Sequence, residues 1–568
     1  MSIPPGNADH RHVIIDASSR RTRASRVVAA RPFACHFQKV KKMTGITRRH
    51  LLSLSAVSTA AFAMPRFASA QSADRPAVTV AVQRISTSNT LEMLTEQSNV
   101  GARIYTSYAE TLLGNDWIGD MSLQPQLATG WKRLDDRTVD VDLREGVKFH
   151  NGDVMTAEDV AFSYGPDRMW GGGSVEVPDN VKAVARQALP AFERIEVLGP
   201  HKVRLHNGSI DPVLEGRLSA SIGMIVSKRA FLEAKSWMDW ARQPVTTGPY
   251  SVAEYKPDSV LTLAAFDDHW EGRPPLRQIR FVETPETASR INLLRSGGAD
   301  FACDIPPDQI ATVEADKRFK VVGGPINNTR YTVFNKSHPV LANPLVRQAL
   351  THSVDRELIV ESLWSGRTEV PRGLQWTFYG DFYIADHENP AYDPDKARAL
   401  LRKAGYNGEP IPYRVLNDYY TAQTATAQIN TENWRSVGLN IKLQMVENWG
   451  QISEGGPETR GIHDWSAAAS LPDPYVQMSG SWGPAGSPWR NNQWRNEEFG
   501  NLSKELGSST DRTRRIAVWR RMLQIIEIED PAYVVLHRNA SFTAKRADIK
   551  WVPSQSFVMD FRRHNWSA

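Results

Sequence analysis

Residues 146–164, GVKFHNGDVMTAEDVAFSY, concentrate side chains that could bind a metal ion or move a proton. His150 and Asp153 lie close together in this segment, and Glu158 and Asp159 follow them. Imidazole and carboxylate groups act as general acids and bases, and they also bind transition metals. The segment therefore raises two hypotheses, a catalytic centre and a metal site.

The order of these residues favours a structural role instead. A calcium-binding loop needs oxygen donors at alternate positions, a central glycine and a distal glutamate, and the segment lacks that order. Asn151-Gly152 is a dipeptide typical of turns. Thr156, with Asp159 three positions later, matches a variant of the capping box that begins a helix. We predict a turn followed by a capped helix, and catalysis by the acidic and histidine cluster is the alternative.

Other motifs of catalytic sites are absent from the sequence. It contains no His-Glu-x-x-His, no Gly-x-Ser-x-Gly and no Gly-x-x-x-x-Gly-Lys. The glycine-rich segment 170–177, WGGGSVEV, lacks the lysine and the preceding strand of a phosphate-binding loop. We interpret it as a flexible loop, and we expect neither a cofactor nor a metal ion.

The charge of the chain is unevenly distributed. Residues 1–70 contain 12 Lys and Arg but two Asp and Glu, so the remaining chain holds 56 basic and 61 acidic side chains. A nucleic-acid-binding protein needs a basic face on its folded domain. The slightly acidic remainder argues against a nucleic-acid partner.

The end of the basic leader is typical of a secretory signal. Arg48-Arg49 precede the weakly apolar run 53–64, and Ala68-Ser69-Ala70 resembles a cleavage site. We predict a twin-arginine signal peptide over 43–70 that is cleaved after Ala70, with a Sec signal as the alternative. Residues 1–42 are predicted to be an upstream extension before the true start at Met43, and the periplasm is the predicted destination.

Capping residues and apolar periodicity predict alternating helices and strands, which indicates an α/β fold. Asp393-Pro394 and Gly405 are typical of the two ends of a helix. The predicted strands are 77–82, 299–305 and 439–446. The predicted helices are 285–296, 345–364, 395–404 and 424–438.

Long, ordered motifs occur along the chain after residue 107. They are YAETLLGNDWIGD and its continuation through VAFSY (108–164), TTGPYSVAEY (246–255), RINLLRSGGADF (290–301), NPLVRQALTHSVDRELIV (343–360), YDPDKARALLRKAGY (392–406) and LPDPY (471–475). Together they resemble the large solute-binding proteins of ABC importers, the class that includes peptide, nickel and opine binders. The resemblance implies a two-lobed α/β periplasmic binding protein, a "Venus flytrap" with two crossover strands and an extra subdomain in lobe I.

The same resemblance implies domain bounds. Lobe I would comprise 74–107, 245–330 and 536–568, with the subdomain 108–244 inserted in it. Lobe II would be 331–535. The crossover strands would lie near 330–335 and 532–539, where a hinge can close the lobes on a ligand.

Two positions depart from the peptide-binding members that the chain resembles. Those proteins place an Asp three residues before the Asp-Pro pair, and here that position is Ser470. Dipeptide binders also carry an Arg at the position of Asn417. The charged anchors for the two ends of a peptide are therefore missing, and we interpret Asp473 as a structural turn former.

Aromatic and neutral polar groups are the predicted replacement for these anchors. Aromatic rings with amides and hydroxyls suit sugar rings, opine-like conjugates or modified peptides. The aromatic residues that cluster near the segments expected to face the cleft are Tyr419, Tyr420, Trp465, Trp482, Trp489 and Trp494. Core packing is the alternative role for each of them. The predicted ligand contacts are Ser88, Asn417, Tyr419, Trp465, Ser470 and Trp489.

The resemblance implies a monomeric periplasmic protein that performs no chemistry. It would capture a peptide-like, opine or sugar-conjugate solute and deliver it to an ABC permease. An exported hydrolase and a nickel or haem carrier are the alternatives.

Overall fold

The structure, a computed structural model, describes residues 75–417, 419–469 and 471–567. The predicted signal peptide, the upstream extension and Ser470 lie outside these residues. The described strands are β1 (Ala77–Val82), β2 (Leu113–Asn115), β3 (Leu123–Pro125), β4 (Ala128–Asp135), β5 (Thr138–Leu143), β6 (Phe192–Gly199), β7 (Lys202–Asn207), β8 (Tyr250–Lys256), β9 (Val260–Ala265), β10 (Gln278–Glu283), β11 (Phe301–Ala302), β12 (Phe319–Phe334), β13 (Pro410–Leu416), β14 (Asn440–Val446), β15 (Ile462–Ala468), β16 (Tyr533–Arg546), β17 (Lys550–Trp551) and β18 (Trp566–Ser567).

Helices separate most of these strands. The described α-helices are α1 (Asn99–Tyr108), α2 (Ala157–Ser163), α3 (Asp179–Ala188), α4 (Leu214–Arg217), α5 (Lys228–Glu233), α6 (Trp237–Arg242), α7 (Thr287–Arg295), α8 (Pro307–Glu314), α9 (Pro344–His352), α10 (Arg356–Trp364), α11 (Pro394–Ala404), α12 (Gln423–Ser436), α13 (Trp449–Ser453), α14 (Pro474–Trp482), α15 (Ser487–Arg490), α16 (Glu497–Ser508) and α17 (Arg512–Leu523).

A ten-stranded sheet combines β1, near the start of the described chain, with β8 to β16. Its strand order is β14-β13-β15-β12-β16-β11-β1-β10-β9-β8. The two central strands, β12 and β16, are 16 and 14 residues long and pair antiparallel along most of their length. They link β13, β14 and β15 on one side with β1 and β8 to β11 on the other.

The ladder between β12 and β16 shifts register twice, between Pro325 and Thr329 and between Arg330 and Tyr331. Just before the first shift, Gly323 has a φ of +124°, and a Cβ there would lie 2.0 Å from the carbonyl oxygen of Ser541. Glycine is therefore required at this close approach of the two backbones.

A second sheet, with strand order β4-β5-β7-β6, has its own apolar core. Val139, Val141, Val203 and Leu205 alternate toward that core along β5 and β7, as expected of strands with one solvated face. This sheet lies within residues 108–244, the segment predicted to be an inserted subdomain. The domain bounds themselves stay a prediction.

The 146–164 segment forms a turn and a capped helix, as predicted. Thr156 and Asp159 form the capping box that begins α2. The Nε2 atom of His150 lies 2.9 Å from the carbonyl oxygen of Gly248. Asp153 instead pairs at the surface with Arg229. The acidic and imidazole groups thus have separate structural partners and do not converge on one point.

Local signals predicted several elements correctly. The strand 77–82 is confirmed, and so is the helix that Asp393 caps and that ends at Gly405, whose φ is +68°. The single helix predicted over 345–364 is wrong, because two helices occupy it. The Asp355 side chain accepts a hydrogen bond from the Leu358 N–H, which begins a new helix there. The strand predicted over 299–305 is reduced to two residues of β11.

Asp473 is structural, as predicted. Its side chain accepts a hydrogen bond from the Tyr475 N–H at the start of α14 and two more, of 2.7 and 2.9 Å, from the buried guanidinium of Arg515. We expect Asp473→Asn to lower the free energy of unfolding by about 3 kcal/mol, because it leaves a buried charge without its partner. Asp153→Asn breaks the exposed pair with Arg229 and should cost less than about 1 kcal/mol. Urea denaturation of both variants checks this, and equal losses would contradict it.

His537 makes folding sensitive to acid. Burial lowers the pKa of His537 to about 3, because a charged imidazolium inside the sheet would lose its water. The unfolded side chain titrates near 6.5, so protons bind the unfolded chain preferentially between about pH 6.5 and pH 3. The stability that the neutral imidazole contributes is present above pH 6.5 and is lost as the pH falls.

The test compares the wild-type protein with His537→Gln at pH 7 and pH 4.5. The variant lacks the titrating group, so its loss of unfolding free energy between the two pH values should be smaller by about 2–3 kcal/mol. A constant cost of the substitution cancels in this difference. Identical losses in the two proteins would show that His537 does not carry the effect.

Candidate functional site

A cavity of about 540 Å³ lies beside β15. Its lining combines the residues that begin α1, Gln97, Ser98 and Asn99, with residues of the segment 414–493. Asn328, from the interrupted part of β12, also lines it. The cavity thus joins the β1 half of the fold to the β13–β15 half. Its size is that of a site for a small organic ligand.

Aromatic side chains form one part of the lining: Tyr419, Tyr420, Trp449 and Trp465. Tyr419 and Trp449 are 60% and 38% exposed, and their ring centroids lie 5.6 Å apart with the planes 83° from parallel. Large aromatic groups are usually buried or placed at an interaction surface. Two exposed rings on the wall of a cavity therefore indicate a surface for an apolar or ring-shaped ligand.

A buried ion pair lies behind this aromatic wall. Nη2 of Arg330 is 3.3 Å from the carboxylate of Asp464, and both side chains are almost fully buried. The guanidinium carbon of Arg330 lies 3.6 Å from the ring centroid of Tyr420. The Asp464 carboxylate also accepts hydrogen bonds from the Tyr413 and Thr332 hydroxyls, at 2.6 and 3.0 Å. Its charge is thus neutralised inside the protein.

Three basic residues also line the cavity: Arg414, Arg460 and His463. The guanidinium of Arg414 donates hydrogen bonds to the carbonyl oxygens of Gln451 and Glu454. Burial lowers the pKa of His463 to about 4, so its imidazole is neutral at pH 7. None of the described lining residues is Asp or Glu. The sequence predicted no role for either arginine, because no local motif marks them.

A hydrogen-bond network fixes the start of α1, where Ser98 contributes to the lining. The Glu96 carboxylate accepts hydrogen bonds from the hydroxyls of Ser86, Ser88 and Ser98. Burial raises the pKa of Glu96, but the hydrogen bonds outweigh burial and hold that pKa below its usual range. This places Ser88 in a network that supports the cavity wall.

Two of the six predicted ligand contacts lie among the described lining residues of the cavity. Tyr419 and Trp465 line the cavity, whereas Asn417, Trp489 and Ser88 are not among its described lining residues. The ring of Trp489 packs against Gly500. Ser470 lies outside the described residues. The role of all six in ligand binding stays a prediction.

Two further tryptophans of the predicted aromatic cluster lie in the core. Trp482 and Trp494 are buried, and Trp482 packs against Tyr533. Sequence position alone does not separate them from Trp465, since it does not show which rings the fold buries. Asn491, whose side chain is a neutral amide, also lines the cavity.

The described part of the chain contains neither a cluster of metal-ligating side chains nor a membrane-spanning helix. No group of three or more His, Cys, Asp or Glu side chains there is placed to hold a metal ion. None of the helices in that part is both long and apolar enough to cross a bilayer.

Known proteins share the architecture of this chain. The family model "Bacterial extracellular solute-binding proteins, family 5 Middle" matches residues 122–487. The dipeptide-binding protein of Escherichia coli K12 is 24% identical over 459 residues, which cover 76% of this chain and 84% of that relative.

Two solved structures are similar in fold. The dipeptide-binding protein from Pseudoalteromonas sp. SM9913 in complex with Met-Leu has a TM-score of 0.71 and 21% identity, over 83% of this chain and 96% of that one. The protein AgaA from A. tumefaciens R10 in complex with agropinic acid has a TM-score of 0.68 and 19% identity, over 85% and 96%. Both are two-lobed periplasmic binding proteins, which confirms the predicted fold class. The chain belongs to family 5 of the bacterial extracellular solute-binding proteins, the substrate-binding components of ABC importers.

Proposed function

We propose that the protein captures a peptide-like, opine or sugar-conjugate solute in the 540 Å³ cavity and delivers it to a membrane ABC permease. The observation that carries this proposal is the aromatic wall, where exposed Tyr419 and Trp449 lie beside Trp465. Rings and apolar chains of a solute can stack on such a wall, while amide groups of the lining fix its orientation.

The placement of the lining supports capture by closure. Residues 97–99 belong to the half of the fold that contains β1, and Trp465 lies on β15 in the other half. A solute that contacts both halves stabilises the arrangement in which they lie close together. Binding and release then require no covalent chemistry, and we propose that the protein is not an enzyme.

The route to the periplasm is part of the proposal. Export by a twin-arginine signal, with cleavage after Ala70, would leave a monomeric protein that begins at Gln71. N-terminal sequencing of the protein recovered from the periplasm tests the cleavage site, and a mature N-terminus elsewhere would contradict it.

Substitution of the aromatic wall should weaken solute binding. A thermal-shift screen of dipeptides, opines, glycosides and metal chelates first identifies a stabilising solute, and isothermal titration then measures its affinity. We expect Trp465→Ala and Tyr419→Ala each to weaken binding about tenfold or more, because a central aromatic contact is lost. Tyr392→Ala is the control, since Tyr392 is an exposed tyrosine outside the cavity lining.

The same experiment separates binding from catalysis. The solute should be recovered unchanged after long incubation with the wild-type protein, as detected by mass spectrometry. Conversion of the solute that is lost in Asp153→Asn, with folding intact, would contradict the proposed function and support a hydrolase.

A further inference from the structure

Arg460 differs from Arg414, the other arginine of the cavity, because its side chain has no partner among the described residues. Its Nε atom is buried, and its guanidinium makes no hydrogen bond or ion pair with any described side chain or carbonyl. Arg414, by contrast, donates to several main-chain carbonyls. The Arg460 side chain as a whole is half-buried, and a guanidinium that lines a cavity without a described protein partner is available to pair with an anionic group of a ligand.

The backbone around Arg460 is fixed, which makes its side chain a positioned group. The Arg460 N–H donates to the carbonyl oxygen of Pro457, and the Asn335 side chain donates to the carbonyl oxygen of Arg460. Asn335, Gly461 and Ile462 line the same cavity. The guanidinium is therefore presented at the cavity by a segment that is itself held in place.

The charges around this point do not cancel. The nearest buried carboxylate on β15, Asp464, is already paired with Arg330 and hydrogen-bonded to two hydroxyls. His463 adds no charge at pH 7 because burial lowers its pKa to about 4. The described lining thus carries the positive charges of Arg414 and Arg460 without a carboxylate.

We infer that Arg460 binds a carboxylate of the transported solute, so that the solute is an organic acid with a ring or apolar portion. The planar guanidinium donates two parallel N–H groups to a carboxylate, and such charge-assisted pairs are short and directional. The neutral imidazole of His463 offers one further hydrogen bond. The inference rests on the proposed function and departs from the neutral recognition expected from Asn417 and Ser470.

The test uses pairs of acids and neutral analogues on the mature chain. The pairs are a dipeptide with its C-terminal amide, an opine with its methyl ester, and phenyl glucuronide with phenyl glucoside. We expect at least one acid to bind at least about tenfold more tightly than its neutral analogue, as measured by isothermal titration. The pairs also show whether the carboxylate belongs to a peptide, an opine or a sugar acid.

Substitution assigns the carboxylate contact to Arg460. Arg460→Gln should weaken binding of the acid by about tenfold to a hundredfold and change binding of its neutral analogue by less than about twofold. Arg460→Lys should restore part of the loss, and higher salt should weaken acid binding. The control is Arg402→Gln, which removes an exposed arginine from α11, outside the cavity lining.

The outcomes are distinguishable. Tight binding of a neutral compound alone, or acid binding that Arg460→Gln leaves unchanged, would overturn the inference and leave solute capture intact. Stabilisation by no compound of either kind would overturn the proposed function as well. Asp418 lies outside the described residues, so Asp418→Asn is combined with Arg460→Gln in a double-mutant cycle. Strong coupling in the unfolding free energy of the solute-free protein would show that Arg460 already has a carboxylate partner.

Discussion

The ion pair between Arg330 and Asp464 connects the elements around the cavity. Arg330 lies on β12, and the Asp464 carboxylate on β15 also accepts hydrogen bonds from Thr332 on β12 and Tyr413 on β13. The Gln423 side chain at the start of α12 lies 3.4 Å from the same carboxylate. Charges buried to this degree are tolerated only with such partners. Removal of either charge would leave the other buried without its partner, which typically costs about 3–5 kcal/mol.

The Arg330 guanidinium also contacts the aromatic wall of the cavity. Arg330 stacks on the ring of Tyr420, and Tyr420 packs edge-to-face on Tyr419 at 4.7 Å. Tyr419 in turn contacts Trp449. The wall is thus anchored at its buried end and exposed at the other. A ligand surface that is rigid before binding loses little side-chain entropy on contact.

Local features of the fold were predictable, because short-range hydrogen bonds determine them. Asp393 and Gly405 mark the two ends of one helix, and the 156–159 capping box marks the start of another. Asp355, which divides the segment 345–364, carries an equally local signal that apolar periodicity concealed. Family resemblance supplied the long-range architecture that periodicity alone does not determine.

The site was less predictable, since burial and pairing depend on tertiary structure. Trp465 lines the cavity while Trp482 lies in the core, and residue type alone does not distinguish the two. No sequence motif distinguishes Arg414 or Arg460 from the other arginines of the chain. Only the folded chain shows that the Arg414 guanidinium donates hydrogen bonds to main-chain carbonyls and that, within the described residues, the Arg460 guanidinium does not.

The interrupted ladder of β12 links the cavity to the geometry of the whole sheet. Residues 326–328 have no ladder partner on β16, although the Asn328 side chain accepts a hydrogen bond from Asn539, and Asn328 lines the cavity. Backbone torsions in the gap can change without breaking ladder hydrogen bonds to β16. In the proposed function, solute contact at Asn328 would therefore be thermodynamically linked to the angle between the two halves. A change at Gly323 that shifts the equilibrium between the open and closed arrangements should change solute affinity by no more than the free energy of that shift, without touching the solute.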